Sequence, residues 1–106
     1  MIIDTHFHAF PAKYLALLPE AKDNWRGTGI RAFDHNEYLD VMDKYGIDVG
    51  VLSNTAGGIE KLGSRGRAKQ LCQVANDDFA NAHTKHPERF RSFARLPMLD
   101  IDDAVT

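Results

Sequence analysis

Cysteine is almost absent from this 106-residue chain, in which Cys72 is the only example. A single thiol excludes a disulfide bond within the chain and fits a reducing compartment. Long apolar runs are also lacking, so the sequence predicts neither a signal peptide nor a membrane span. We therefore expect a cytoplasmic protein that has no membrane partner.

An excess of either charge is missing as well. The 13 Lys and Arg side chains nearly balance the 15 Asp and Glu side chains, which leaves a formal net charge of −2. This balance argues against a nucleic-acid partner, because such proteins carry a clustered basic surface. The length and the 43% hydrophobic content are typical of one globular domain. Residues 1–106 are accordingly expected to belong to a single domain.

The most informative pattern that is present lies at the start of the chain. Met1–Thr5 reads as a short strand that continues into His6-Phe7-His8. Because side chains on a strand alternate between faces, we expect both imidazoles on one side, roughly 7 Å apart along the backbone. Two converging neutral imidazoles provide two ligands for a divalent metal, and Asp4 on the same face would be a hydrogen-bond partner for them. The alternative for these residues alone is a pair of surface histidines in a loop.

Predicted strands and helices alternate along the rest of the chain. Apolar periodicity and capping residues predict, in order, a helix over Ala12–Leu18, a long loop over Glu20–Phe33, a helix between Asp34 and Gly46, a strand over Ile47–Leu52, a helix from Arg65 or Gly66 to His86, a strand over Phe90–Leu96 and a helix after Asp100. Such alternation is typical of a parallel sheet in the order 1-2-3 with its helices on one side.

Two of these helices have a predicted buried face. In the helix after Asp34, Glu37 completes a capping-box pattern, and an apolar stripe comprises Tyr38, Val41, Met42 and Tyr45. In the long helix, the predicted buried side comprises Ala68, Leu71, Cys72, Ala75, Phe79 and Ala82.

The fold class that this order favours is an α/β barrel. A (β/α)8 barrel has eight strands and takes about 250 residues. The chain has three predicted strands and reaches the start of a further helix at its last residues. We therefore expect residues 1–106 to be the first three or so β/α units of such a barrel, an N-terminal fragment rather than the whole.

Four segments together give the sequence a family resemblance. They are Ile3–Ala9, Gly46–Ser53, Leu71–Phe79 and His86–Pro97, and they extend over nearly the whole chain. In these segments the chain resembles the amidohydrolase-related family (amidohydrolase 2). It is most similar to the branch that contains aminocarboxymuconate-semialdehyde decarboxylase and the resorcylate and carboxyvanillate decarboxylases. The resemblance implies a metal-dependent hydrolase barrel.

The same resemblance implies one divalent metal, zinc or alternatively manganese, at the mouth of the barrel. His6 and His8 correspond to its first two ligands. The remaining ligands and the catalytic histidine of the family come from later strands, so no catalytic residue is expected within residues 1–106 and this segment alone should be inactive. His83 and His86 are not expected to replace them, because they lie at the end of a helix that packs outside the barrel.

The resemblance also implies a small carboxylated or cyclic substrate. Arginines of the first long loop contact the substrate carboxylate in part of the family, which makes Arg26 and Arg31 candidates, with solvated loop arginines as the alternative. Asn54 and Thr55 end the second strand at the reactive face of a barrel, where they would reach substrate or cap the next loop. The intact protein is expected to be a homo-oligomer.

Three alternatives stay open at this point. The chemistry in relatives is either non-oxidative decarboxylation or hydrolysis, and the first third of the barrel is common to both. A metal-dependent nuclease of the TatD kind also opens with an Asp-x-His-x-His strand, although the later segments fit it poorly. A non-catalytic barrel remnant that only associates with other chains is the third alternative.

Overall fold

The computed structural model describes residues 1–18, 30–55 and 64–106. In this part of the chain, strands and helices alternate as predicted, and they are β1 Ile3–His8, α1 Ala12–Leu17, α2 His35–Tyr45, β2 Val49–Ser53, α3 Arg65–Lys85, β3 Phe90–Ser92 and α4 Ile101–Val105.

The three strands form one parallel sheet. Their order is β1-β2-β3, which confirms the predicted topology. In the register, Ile3 lies opposite Val49 and His8 lies opposite Ser53, while Gly50 of β2 lies opposite Phe90 of β3. The carboxyl ends of β1 and β2 therefore meet at the same edge of the sheet.

One face of the sheet is covered by α2 and α3. Phe7, Leu52 and Phe90, one from each strand, pack in a single buried cluster with Met42 of α2 and Phe79 of α3. Both helices thus lie on the same side, as right-handed crossovers between neighbouring parallel strands require. Val51 and Ser53, the neighbours of Leu52 in β2, face away from these helices.

A second cluster joins α1 to α3. Tyr14 and Leu15 of α1, followed by Leu18, pack against the first half of α3. All the α3 residues that the sequence places on the buried side are buried, namely Ala68, Leu71, Cys72, Ala75, Phe79 and Ala82. The 3.6-residue period alone was therefore sufficient to identify this face.

The start of α2 follows the predicted cap, but not the whole capping box. Asp34 Oδ1 accepts a hydrogen bond from the backbone N–H of Glu37 at 3.0 Å. The Glu37 carboxylate, however, pairs with the Arg31 guanidinium at 2.9 Å. The predicted apolar stripe is also only partly correct, since Met42 is buried whereas Val41 and Tyr45 are exposed.

The end of α2 determines where β2 begins. Gly46 has φ +68° and closes the helix in the left-handed conformation that glycine adopts without strain. The backbone N–H of Ile47 donates to Met42 O at 2.8 Å, so Ile47 still belongs to the helix cap. As a result β2 begins at Val49, two residues later than predicted.

β3 is shorter than predicted, and a side chain of α3 binds the segment that follows it. The strand stops at Ser92 instead of Leu96. Three residues further along, the Asn76 side-chain amide makes two hydrogen bonds to the backbone of Arg95. Its Oδ1 accepts from the Arg95 N–H at 2.7 Å, and its Nδ2 donates to Arg95 O at 2.9 Å. These bonds occupy backbone groups that a longer strand would use in the sheet.

Ion pairs attach α4 to the start of α3. Arg65 Nε donates to Asp103 Oδ2 at 2.8 Å, and Lys69 Nζ lies 3.3 Å from Oδ1 of the same carboxylate. The hydrogen bond from Arg65 is the main cause that lowers the pKa of Asp103 from 3.8 to about 2. Because the folded-state pKa is the lower one, this contact stabilises the attached helix above about pH 4 and is lost as the pH falls through about 2.

We expect Arg65→Ala to raise the pKa of Asp103 most of the way back to 3.8. The measurement is a carbon-detected NMR titration of the Asp103 carboxyl between pH 6 and about pH 1.5. Arg31→Ala is the matched control, because Arg31 pairs with Glu37 and should leave the Asp103 curve unchanged. An unshifted Asp103 titration in Arg65→Ala would contradict the assignment of the ion pair.

Candidate metal centre

The two imidazoles of β1 lie together at the carboxyl end of the sheet. The ring centroids of His6 and His8 are 4.7 Å apart, and the ring planes make an angle of 75°. Both side chains are exposed, whereas Phe7 between them is buried under the helices. The predicted placement of both histidines on one side of the strand is therefore confirmed.

A β-bulge interrupts β1 just before the histidines. Asp4 pairs with Gly50 and Phe7 pairs with Leu52, so β1 has one residue more than β2 between these pairs. The strict alternation that placed Asp4 on the face of the histidines does not hold across this bulge. Asp4 Oδ1 instead accepts the backbone N–H of His6 at 2.9 Å, which stabilises the extra residue. A hydrogen bond from the N–H of a ligand imidazole to the Asp4 carboxylate stays a prediction.

Ser53, which the sequence did not indicate as a site residue, contacts the His8 ring. Its Oγ lies 3.3 Å from His8 Nδ1 and 3.5 Å from the carbonyl oxygen of Phe7. The contact can be foreseen only once the strand register is known, because the register places Ser53 directly opposite His8. Nothing within either sequence segment indicates that pairing.

The backbone around His8 is held from two further sides. Tyr38 Oη donates to His8 O at 3.2 Å, and the backbone N–H of Ala9 donates to Ser53 O at 2.8 Å. Burial raises the pKa of Tyr38, and the Glu37 carboxylate adds to this, while Arg31 opposes it. The Tyr38 hydroxyl is thus kept protonated as a donor, and the end of β1 is firmly positioned.

The separation of the two imidazole rings is compatible with a shared metal ion, and also with a direct edge-to-face contact of the rings. For metal–nitrogen distances of about 2.0–2.1 Å and ligand angles between about 90° and 109°, two coordinated imidazoles would have centroids roughly 4.6–5.3 Å apart. The observed 4.7 Å lies within this range. Within residues 1–18, 30–55 and 64–106, no group of three or more His, Cys, Asp or Glu side chains is placed to hold a metal. The described part therefore offers two ligands.

The candidate substrate residues have different environments. Arg26 lies outside the described residues, so its contact with the substrate carboxylate stays a prediction. The Arg31 side chain is 81% exposed and pairs with Glu37. Asn54 is only 6% exposed; its Nδ2 donates to Ala9 O at 3.4 Å, and its buried Oδ1 has no hydrogen-bond partner in the described part. Thr55 is exposed.

Comparison with known proteins identifies the relatives of the chain. It is 35% identical over 84 residues to the gamma-resorcylate decarboxylase of Rhizobium sp. (strain MTP-10005). This chain is a homologue of the gamma-resorcylate decarboxylases. The predicted resemblance to the decarboxylase branch of the amidohydrolase-related family is confirmed. The match includes 78% of the chain but only 26% of the Rhizobium enzyme. No protein-family model matches the sequence.

Solved structures of decarboxylases and amidohydrolases share the fold. An amidohydrolase II superposes with a TM-score of 0.87 at 24% identity, over 99% of this chain and 34% of its own. The dihydroxybenzoic acid decarboxylase of Polaromonas sp. JS666 superposes with a TM-score of 0.72 at 28% identity, over 97% of this chain and 32% of its own. That protein was crystallised with manganese and the inhibitor 2-nitroresorcinol. The predicted amidohydrolase-type barrel is confirmed, and the chain spans about a third of the length of these structures.

Among the described residues, no helix is both long and apolar enough to cross a bilayer.

Proposed function

We propose that this decarboxylase homologue provides the first part of a divalent-metal site that removes carbon dioxide from a small hydroxylated aromatic acid. The observation that carries the proposal is the imidazole pair, with centroids 4.7 Å apart, in a chain 35% identical to a gamma-resorcylate decarboxylase. We further propose that residues 1–106 belong to a single barrel domain.

His6 and His8 are the proposed metal ligands. Imidazole nitrogen is a common zinc ligand, whereas the manganese bound by the Polaromonas relative favours manganese. When bound, such an ion acts as a Lewis acid and as a template for the substrate oxygens. The further ligands that a catalytic site needs would come from outside the described residues.

The chain's own residues would orient the substrate. Arg31 carries a guanidinium that binds a carboxylate bidentately, and it would have to leave Glu37 to do so. Asn54 Oδ1 is a buried acceptor suited to a phenolic hydroxyl, since it has no partner among the described residues. Arg26 and Thr55 are proposed as further substrate contacts from the first loop and the end of β2. Zinc as the metal, a cytoplasmic location and homo-oligomerisation stay predictions.

The test is an activity assay on the product of the complete reading frame that contains residues 1–106. After loading with manganese, it is expected to convert 2,6-dihydroxybenzoate into resorcinol and carbon dioxide, measured by chromatography and gas release. The carbon that loses the carboxylate gains a proton, so one molecule of each product forms per substrate. Hydrolysis of an amide or ester with no decarboxylation would favour a hydrolase, and metal binding without either reaction would favour a non-catalytic barrel.

A further inference from the structure

Ser53 is the residue whose contacts with the metal centre were not expected from the sequence. Its backbone is fixed by the β1–β2 register and by the 2.8 Å bond from the Ala9 N–H to Ser53 O. Its hydroxyl lies between two groups, His8 Nδ1 at 3.3 Å and Phe7 O at 3.5 Å. One of these groups is an obligate acceptor, and the other accepts or donates according to the imidazole tautomer.

The carbonyl oxygen of Phe7, 3.5 Å from Ser53 Oγ, offers the hydroxyl hydrogen a second acceptor. A serine hydroxyl has one hydrogen to donate and two lone pairs that accept. If the hydrogen is directed to Phe7 O, the Oγ lone pairs are left for the proton on His8 Nδ1. The neutral imidazole then has its free lone pair on Nε2, which is the nitrogen away from Ser53. An imidazole ligand to a metal needs that lone pair, and the hydrogen bond made by the other nitrogen selects it.

We propose that Ser53 is a positioning residue that holds His8 in the Nδ1–H tautomer and leaves its Nε2 free to bind the metal. This inference rests on the proposed metal site and adds the residue that orients one of its ligands. The opposite arrangement, in which the hydroxyl donates to Nδ1, would place the proton on Nε2 and block coordination. The two arrangements therefore make opposite predictions for the metal-free protein.

The first measurement is a long-range proton–nitrogen NMR correlation on the 15N-histidine-labelled, metal-free chain at about pH 8.5, where free imidazole is neutral. His8→Gln assigns the His8 signals. The wild-type His8 is expected in the Nδ1–H form, and Ser53→Ala is expected to shift it towards the Nε2–H form. Ser53→Thr keeps a hydroxyl and should retain the wild-type tautomer. Ser92→Ala removes an exposed serine of β3 and is the matched control, with no change expected.

The second measurement is the affinity of the product of the complete reading frame for manganese or zinc ions, determined by calorimetry. Loss of an outer hydrogen-bond partner typically lowers metal affinity by 10–100-fold, so about a tenfold loss is expected for Ser53→Ala. Ser53→Thr should restore most of it, and Ser92→Ala should bind as the wild type does.

A wild-type His8 in the Nε2–H form would overturn the proposal, and so would a Ser53→Ala variant that keeps the wild-type tautomer. The wild-type spectrum alone decides the first point, even if a variant fails to fold. Because the tautomer is read without metal, the two proposals can fail separately. If the expected tautomers are seen but the product of the complete reading frame binds no metal, the proposed function is contradicted and the positioning of His8 by Ser53 is still supported.

Discussion

Replacing His6 and His8 together by alanine is expected to lower the affinity for manganese or zinc by at least about 100-fold, because it removes both imidazole ligands rather than an outer partner. The measurement is calorimetric titration of the product of the complete reading frame. Decarboxylation should be lost in parallel. The 106-residue chain measured alone should bind metal only weakly, since a catalytic zinc usually has three protein ligands.

His83→Gln is the matched control for the metal experiment. His83 lies near the end of α3, where its Nδ1 is 2.9 Å from Phe90 O, far along the chain from the strand that carries the ligands. The control should therefore retain wild-type affinity. Undiminished metal binding by the His6/His8 double variant, with its fold intact by circular dichroism, would show that the metal is held elsewhere.

Truncating Phe90 to alanine is expected to lower the free energy of unfolding by about 3–5 kcal/mol, as for other large buried aromatic residues. The Phe90 ring is fully buried, and its centroid lies 5.8 Å from that of Phe33, 6.1 Å from that of His35 and 5.9 Å from that of His86. It thus joins β3 to the start of α2 and the end of α3. A loss of this size is a large part of the 5–15 kcal/mol that stabilises a typical domain.

Phe93→Ala provides a matched control for this experiment, because it removes the same side chain three residues further on. Phe93 is 57% exposed, so its truncation should change the unfolding free energy by only about 0.5 kcal/mol. Urea denaturation followed by circular dichroism compares both variants with the wild type. Equal losses at the two positions would mean that Phe90 is not the buried contact that the structure shows.

Local sequence patterns predicted most of the secondary structure. The apolar period of α3 identified its buried residues, and Asp34 and Gly46 marked the limits of α2, because periodicity and capping depend on residues a few positions apart. Of the boundaries that were wrong, the start of β2 follows from the local helix cap at Gly46 and Ile47, whereas the segment after β3 has a distant partner. Asn76 of α3 binds the backbone of Arg95 in the segment predicted as the end of β3, and no pattern near either residue indicates this.

The same distinction applies to the candidate metal centre. Two histidines at i and i+2 on a strand determine that their side chains share a face, and the sequence alone was sufficient for that prediction. The bulge beside Asp4, the contact of Ser53 with His8 and the pairing of Arg31 with Glu37 were decided by the tertiary structure. Strand register and side-chain partners depend on how separate segments pack against one another, and this information is not contained in any one of those segments.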